Sequence, residues 1–477
     1  MNPSSPPLIQ RSQALDALRG WAVFLMIFSG VIPFDGSLPP WMYHAQNPPP
    51  SHGFNPDISG LTWVDLVFPF FLFALGAAIP LAFSRLMAKG WRFDQLIFVI
   101  LKRGFFLGTF AIFLQQIRPH ILNSEEIPEK WYLALIGFFT LWLMYGRWPK
   151  FIPQWLGLLL TLGGWTYGII FLSHLQYPNG SGFSLNRSDI ILIVLTNMAV
   201  WGSLIWLFTR AHFGLRLGIL GVIMALRLSA TTSGWVADIW SFSPAPWIFR
   251  FEYLKYLLIV IPGTLAGDFL NRWLQNAADD HQPRKWSNFH FLLLLFSILL
   301  IFIIVLVGLQ SRQSFNTTLL TLIIGGAGVL LVNLPAPEIP QENLLQKLYL
   351  WGFYWLILGL ALEPLQGGIK KDPTTWSYLL ITLGLSYLFL IALIILVDHF
   401  QQKIWMQPII DLGKNPMIGY VAFANFLLPI LKLTGWQTSL VAITPTPLLA
   451  VLRALTYTIL ITLFVSLVTQ LKIYWRT

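Results

Sequence analysis

The sequence predicts an all-α integral membrane protein: a polytopic bundle of about 11 to 14 transmembrane helices, N-terminus cytoplasmic, forming a single membrane domain over residues 1–477. Three observations carry this reading. Of 477 residues, 56% are hydrophobic and only 10% charged, where a soluble chain carries about 25% charged. Apolar runs near the ~20-residue bilayer length recur from end to end. Most of the 30 lysines and arginines sit in short loops between those runs, where they set orientation and meet anionic headgroups. The net charge of +10 is therefore no nucleic-acid signal.

Taken in order, the first run is Leu15 to Pro33. Asp16 interrupts the approach to it and no small-x-small site follows, so it is expected to stay rather than be cleaved. Trp63 to Ser84 is second, with Asp65 in its opening turn, and Leu96 to Gln116 is third. Trp131 to Gly146 and Pro153 to Ser173 flank Arg147 and Lys150, and Asp189 to Phe208 and Phe213 to Ser229 are split around Arg210. Tyr253 to Leu270 contains IPGTLAGD, whose Gly263 and Gly267, four apart, signal close helix packing rather than a phosphate loop. A charged stretch, Asn276 to Asn288, precedes Phe289 to Leu309. Thr317 to Leu334, Leu345 to Leu362, Trp376 to Val397, Met417 to Leu433 and Leu448 to Leu471 complete the series. Pro and Gly mark the ends; short neighbours joined by tight turns are expected to be re-entrant, which gives the lower count.

Charge then orients the array. Arg85, Lys89, Arg92, Lys102, Arg103, Arg147, Lys150, Arg210, Arg216, Arg272, Arg284 and Lys285 fall on the cytoplasmic side, and the first loop, 34–61, has no lysine or arginine at all. That loop is expected outside. It is rich in Pro, Gly and Asn, yet Trp41, Met42, Tyr43 and Phe54 want burial, so it is expected to fold down onto the helix mouth. It also carries His44 and His52, just ahead of Asp65. A carboxylate within a membrane helix costs roughly 2.5 kcal/mol or more at mid-depth, so one kept beside histidines marks a functional site. Histidine serves as a general base near neutral pH, and a carboxylate fixes its tautomer. The alternative makes both histidines surface residues and Asp65 a helix N-terminal charge favouring the macrodipole.

These residues resemble a known family. LDALRGWAVFLMI from Leu15, HA at His44 and Ala45, and GLTWVDLVFPFFLFALGAAIPLAFSR from Gly60 look like the start of the heparan-α-glucosaminide N-acetyltransferases and their bacterial relatives. GKNPMIGYV from Gly413 is weakly similar to a segment near their C-terminus and brings in Asn415. The resemblance implies transfer of an acetyl group from cytoplasmic acetyl-CoA, across the membrane, to the amine of a sugar. It also implies a catalytic histidine in the first loop and Asp65 as the family's acid. His44 is the candidate, but the PPP insertion adds His52, and which of the two fills the place is open. The chain also resembles the membrane acyltransferases that O-acylate surface polysaccharides, which begin with a similar Leu-Asp-x-Leu-Arg-Gly segment. Those place a histidine in the first helix, where WAVFLMIFSGVIP has none.

The expectation is thus a membrane acyltransferase, of a bacterial cytoplasmic (inner) membrane, with its site facing outward. His44, Asp65 and His52 are the catalytic candidates, with acetyl-CoA phosphates near Arg19, Lys102 and Arg103, and substrate near Asp16 and Asn415. Simple positive-inside topology explains Lys102 and Arg103 equally, and a local ion pair three residues apart explains Asp16 and Arg19. The other histidines lack ligand spacing and cysteine is absent, so no metal is expected. Partners are the lipid bilayer and a sugar or glycan acceptor, with a homodimer left open and no nucleic acid. The competing readings are a transporter or flippase of a cell-envelope precursor, favoured by mid-helix acids and repeat symmetry, and a scaffold without activity.

Overall fold

The structure, a computed structural model, describes residues 11–149, 152–276 and 286–476. Lys150, Arg284, Lys285 and most of the charged stretch before residue 286 lie outside the described residues. Among the described residues, twelve helices are long and apolar enough to cross a membrane. They are α1 (Gln13–Val31), α2 (Trp63–Ala88) and α3 (Phe93–Gln116), then Gln154–His174, Ile190–Thr209, Phe251–Gln275, Asn288–Gln310, Ser314–Asn333, Pro340–Ala361, Trp376–His399, Pro416–Leu433 and Pro447–Gln470. The chain is an all-α polytopic helical bundle. The regular strands among the described residues are one short antiparallel pair, Gly146–Arg147 with Tyr474–Trp475.

Two expected spans are helices but not among the twelve. Trp131 to Gly146 lies in the helix Pro128–Tyr145, which has 18 residues and carries Glu129 and Lys130 in its first turn. Phe213 to Ser229 forms a helix with those bounds, but of 17 residues with Arg216 and Arg227 on it. At about 1.5 Å per residue it rises about 26 Å, short of a hydrocarbon core of about 30 Å.

The chain divides into two compact units. The first gathers the chain up to Ala22, Phe34–Leu96 and Tyr256–Met406. In it, α2 and the helix Leu257–Asn276 approach through glycine. A Cβ on Gly76 would strike the Val260 carbonyl oxygen, one on Gly267 the Ala77 carbonyl, and one on Gly263 would lie 2.8 Å from the Phe73 carbonyl. That is the close contact which the spacing of Gly263 and Gly267 signals, and it needs residues without side chains. Pro340–Ala361 meets Trp376–Ile394 in the same manner, with Gly359 on the Ile381 nitrogen (2.6 Å to an added Cβ) and Gly384 on the Leu356 nitrogen (2.7 Å). This contact fixes the ends of the connecting segment 362–375 beside the N-terminal end of α2, where the Gly60 N–H donates to the Ile369 carbonyl at 2.9 Å.

The second unit gathers Val23–Pro33, Ile97–Lys255 and the chain from Gln407 onward. Phe138 stacks on Phe426 at 4.9 Å and lies 5.5 Å from Trp475. Asp189 caps the helix Ile190–Thr209 by accepting from the Ile191 and Leu192 nitrogens at 3.1 and 3.2 Å, which satisfies two of that helix's unpaired N–H groups.

Candidate functional site

The site forms where the first loop meets the opening turn of α2. Thr62 precedes that helix, and the Thr62 N–H donates to Asp65 Oδ2 at 3.1 Å, the reciprocal arm of a capping box. The Thr62 hydroxyl donates to the Tyr43 carbonyl at 2.7 Å, tying the loop down one residue before His44. Loop residues then complete the carboxylate's partners. The Ala45 N–H donates to Asp65 Oδ2 at 3.2 Å, and His44 Nδ1 lies 2.7 Å from Asp65 Oδ1. The Tyr378 hydroxyl donates to the Asp65 backbone carbonyl at 2.8 Å, bracing the turn from Trp376–Ile394.

A carboxylate only accepts, so His44 Nδ1 carries its hydrogen toward Asp65, and in the neutral imidazole the lone pair is on Nε2. The Asp65 side chain is 2% exposed and that of His44 is 38% exposed. The buried acid is met by several hydrogen bonds, as a buried charge requires, while more than a third of the His44 side chain is open to solvent.

Lys371 completes the cluster. Its ammonium lies 3.3 Å from His44 Nδ1 and 3.4 Å from Nε2. Burial pushes its pKa below the ordinary lysine value, opposed by the charges of Asp65 and Asp372. Gln46 sews the two segments together. Its carbonyl accepts from the Asp372 N–H at 2.9 Å and its amide donates to the Asp372 carbonyl. Behind them Arg312 meets the buried Glu363 at 2.8 Å.

His52 is elsewhere in the loop. Its ring lies 4.4 Å from Tyr43 and 5.2 Å from Phe34, edge-on to both, and its buried nitrogens make no hydrogen bond among the described residues. Met42 and Tyr43 are buried, as the loop composition asks. Trp41 and Phe54 instead stay exposed, as aromatic side chains do at a membrane–water boundary.

The remaining expected residues have contacts of their own. Asp16 is held by Arg11 at 2.8 Å and lies 3.6 Å from Arg19, the local pairing that three-residue spacing allows. Lys102 is exposed and sits 5.8 Å from the Phe106 ring centroid. It and Arg103 belong to the second unit, Arg19 to the first. Asn415, also in the second unit, is fully buried. Its amide donates to the Ile473 carbonyl at 2.9 Å and accepts from the Trp475 N–H at 3.2 Å, pinning the last strand. Among the described residues no group of three His, Asp or Glu side chains is gathered as a metal site would need.

Lys371 and Tyr378 are the residues that sequence reading passed over. The signal for Lys371 was the adjacent pair Lys370 and Lys371 in the segment that joins two apolar runs.

A family model described as a domain of unknown function, DUF5009, matches residues 11–270, more than half of the chain. The chain belongs to the DUF5009 family. The match covers His44 and Asp65, whereas Lys371 of this DUF5009 chain lies beyond it. Comparison with curated proteins finds none that matches.

Proposed function

We propose that this DUF5009 member is a membrane-bound acyltransferase. It transfers an acyl group, acetyl by resemblance, from acetyl-CoA to the amine or hydroxyl of an extracytoplasmic sugar or glycan, across a bacterial cytoplasmic membrane. The observation that carries the reading is the 2.7 Å pairing of a solvent-reachable His44 with a fully buried Asp65. An acid kept in the first turn of a membrane helix is costly, and this one is turned onto an imidazole in the arrangement that general-base catalysis uses.

The donor supplies an activated thioester carbonyl. His44 Nε2 accepts the proton as the acceptor's nitrogen or oxygen forms its bond to that carbonyl carbon, and the carbon–sulfur bond breaks. The proton then passes from the imidazolium to the departing thiolate. Asp65 holds the ring by Nδ1 and stabilises its charged form. The Lys371 ammonium, beside the ring, is available to donate to the carbonyl oxygen as negative charge develops there. The thioester is uncharged and needs only access to the ring, and the His44 side chain is 38% exposed. The test is release of free CoA by the purified protein in proteoliposomes supplied with acetyl-CoA and amino sugars. Release that requires an acceptor supports the proposal, and no release above empty liposomes with any acceptor contradicts it.

A further inference from the structure

The second unit contains a cavity of about 440 Å³ remote in the chain from His44, lined by Arg118, His120, Gln115, Ile190, Ile191 and Phe423 among others. In its lining Asp189 is fully engaged. One oxygen caps the helix Ile190–Thr209, and the other accepts from Arg118 at 2.8 Å and from the Tyr420 hydroxyl at 2.9 Å. Arg118 also lies 5.2 Å from the Tyr420 ring centroid. Its contact with Asp189 uses one of five guanidinium donors, which leaves others for a ligand. The carboxylate's charge is already shared with a helix N-terminus and a phenol, so it only partly offsets the guanidinium. His120 has its pKa lowered by burial and by the Arg118 charge, so it is a neutral imidazole near pH 7, able to donate one hydrogen bond.

Much of the remaining lining is apolar: Met26, Ile27, Val31 and Phe423. Ile190 and Ile191, which follow Asp189 in the chain, also line the cavity yet stay 55% and 45% exposed, so apolar surface lies at its rim beside the guanidinium. A guanidinium in a largely apolar lining, with exposed isoleucines beside it, matches an anion that carries a hydrocarbon tail. A small free anion would gain nothing from the apolar lining.

We propose that this cavity binds the phosphate headgroup of an anionic lipid. Arg118 and His120 take the phosphate, and the tail leaves across Ile190 and Ile191. The inference is independent of acyl transfer at His44. Two sources share this chemistry, a bilayer phospholipid and a polyprenyl phosphate of the kind that carries glycans. Native mass spectrometry of the purified full chain, with phosphatidylglycerol, polyprenyl phosphate, phosphatidylcholine or inorganic phosphate as probes, tests it. One anionic lipid is expected to be retained over phosphatidylcholine, and whichever anionic lipid is held more tightly identifies the source. Arg118→Gln is expected to lower retention roughly tenfold, the worth of one charge-assisted hydrogen bond. Because that change also strips Asp189 of a partner, Ile191→Trp serves beside it: it crowds the rim, keeps the ion pair and is expected to cut retention as well. Equal retention of phosphatidylcholine, displacement by millimolar inorganic phosphate, or unchanged retention in both variants would overturn the proposal.

Discussion

His44 Nδ1 lies 2.7 Å from Asp65 Oδ1, while His52, in the same loop, turns its ring against Tyr43 and away from any hydrogen-bond partner among the described residues. Two histidines eight positions apart thus have opposite surroundings. One is polar, held and reachable; the other is packed among aromatic rings.

Asp65→Asn keeps a side chain that can still accept from the Ala45 and Thr62 nitrogens, but its amide no longer enforces a hydrogen on His44 Nδ1. The fold is expected to survive. Acyl transfer per folded molecule is expected to fall roughly a hundredfold or more, since a carboxylate is what sets the productive tautomer. Steady-state kinetics alongside a thermal unfolding scan separates the two effects.

His52→Phe preserves the edge-on contacts with Tyr43 and Phe34 and removes two buried nitrogens that make no hydrogen bond. Activity within about twofold of the parent is expected, with an unfolding midpoint at or above it, because unpaired buried polar atoms cost about 1–3 kcal/mol each. Loss of activity with intact folding would return His52 to the catalytic candidates.

Lys371 has a folded-state pKa below its ordinary value of 10.5, chiefly through burial. The unfolded chain therefore holds that proton more tightly, so the folded state is penalised below the folded pKa, and the penalty lifts as pH rises toward 10.5. Lys371→Met is expected to fold at least as stably at neutral pH and to lose the part of the stability gain between neutral and alkaline pH that this group supplies. Its transfer rate is expected to drop roughly tenfold to a hundredfold, the worth of one donor to a developing oxyanion. Unfolding midpoints measured across pH, together with kcat, check both halves.

Asn415→Ala removes the amide's bonds to the Ile473 carbonyl and the Thr469 hydroxyl and the one it accepts from the Trp475 N–H. A loss of about 2 kcal/mol in stability is expected, with kcat/KM per folded molecule unchanged. A rise in KM without loss of stability would instead make Asn415 a substrate contact.

Length and apolarity made the helices legible, and the four-residue spacing of Gly263 and Gly267 announced the tight contact with α2. The two spans that fell short did so for reasons visible in the residues: Glu129 and Lys130 in a first turn, and a run of 17 residues carrying two arginines. Asp65 stood out because a charge in a membrane helix is expensive. The choice between His44 and His52 was not legible, because in a proline-rich loop without periodicity no pattern tells which side chain faces inward. In the structure it is His44 that meets Asp65, next to a loop residue held by the Thr62 hydroxyl on the Tyr43 carbonyl, a contact between residues 19 apart. Lys371 was further out of reach: it meets His44 across 327 residues, and locally it reads as one more loop cation.

The most direct measurement is transfer of label from radiolabelled acetyl-CoA to a sugar acceptor by membranes carrying the parent protein, His44→Ala or His52→Phe at matched expression. Label in the acceptor with the parent and with His52→Phe, and none above empty membranes with His44→Ala, is the result expected of a His44–Asp65 acyltransferase. Transfer by His44→Ala at the parent's rate would contradict it.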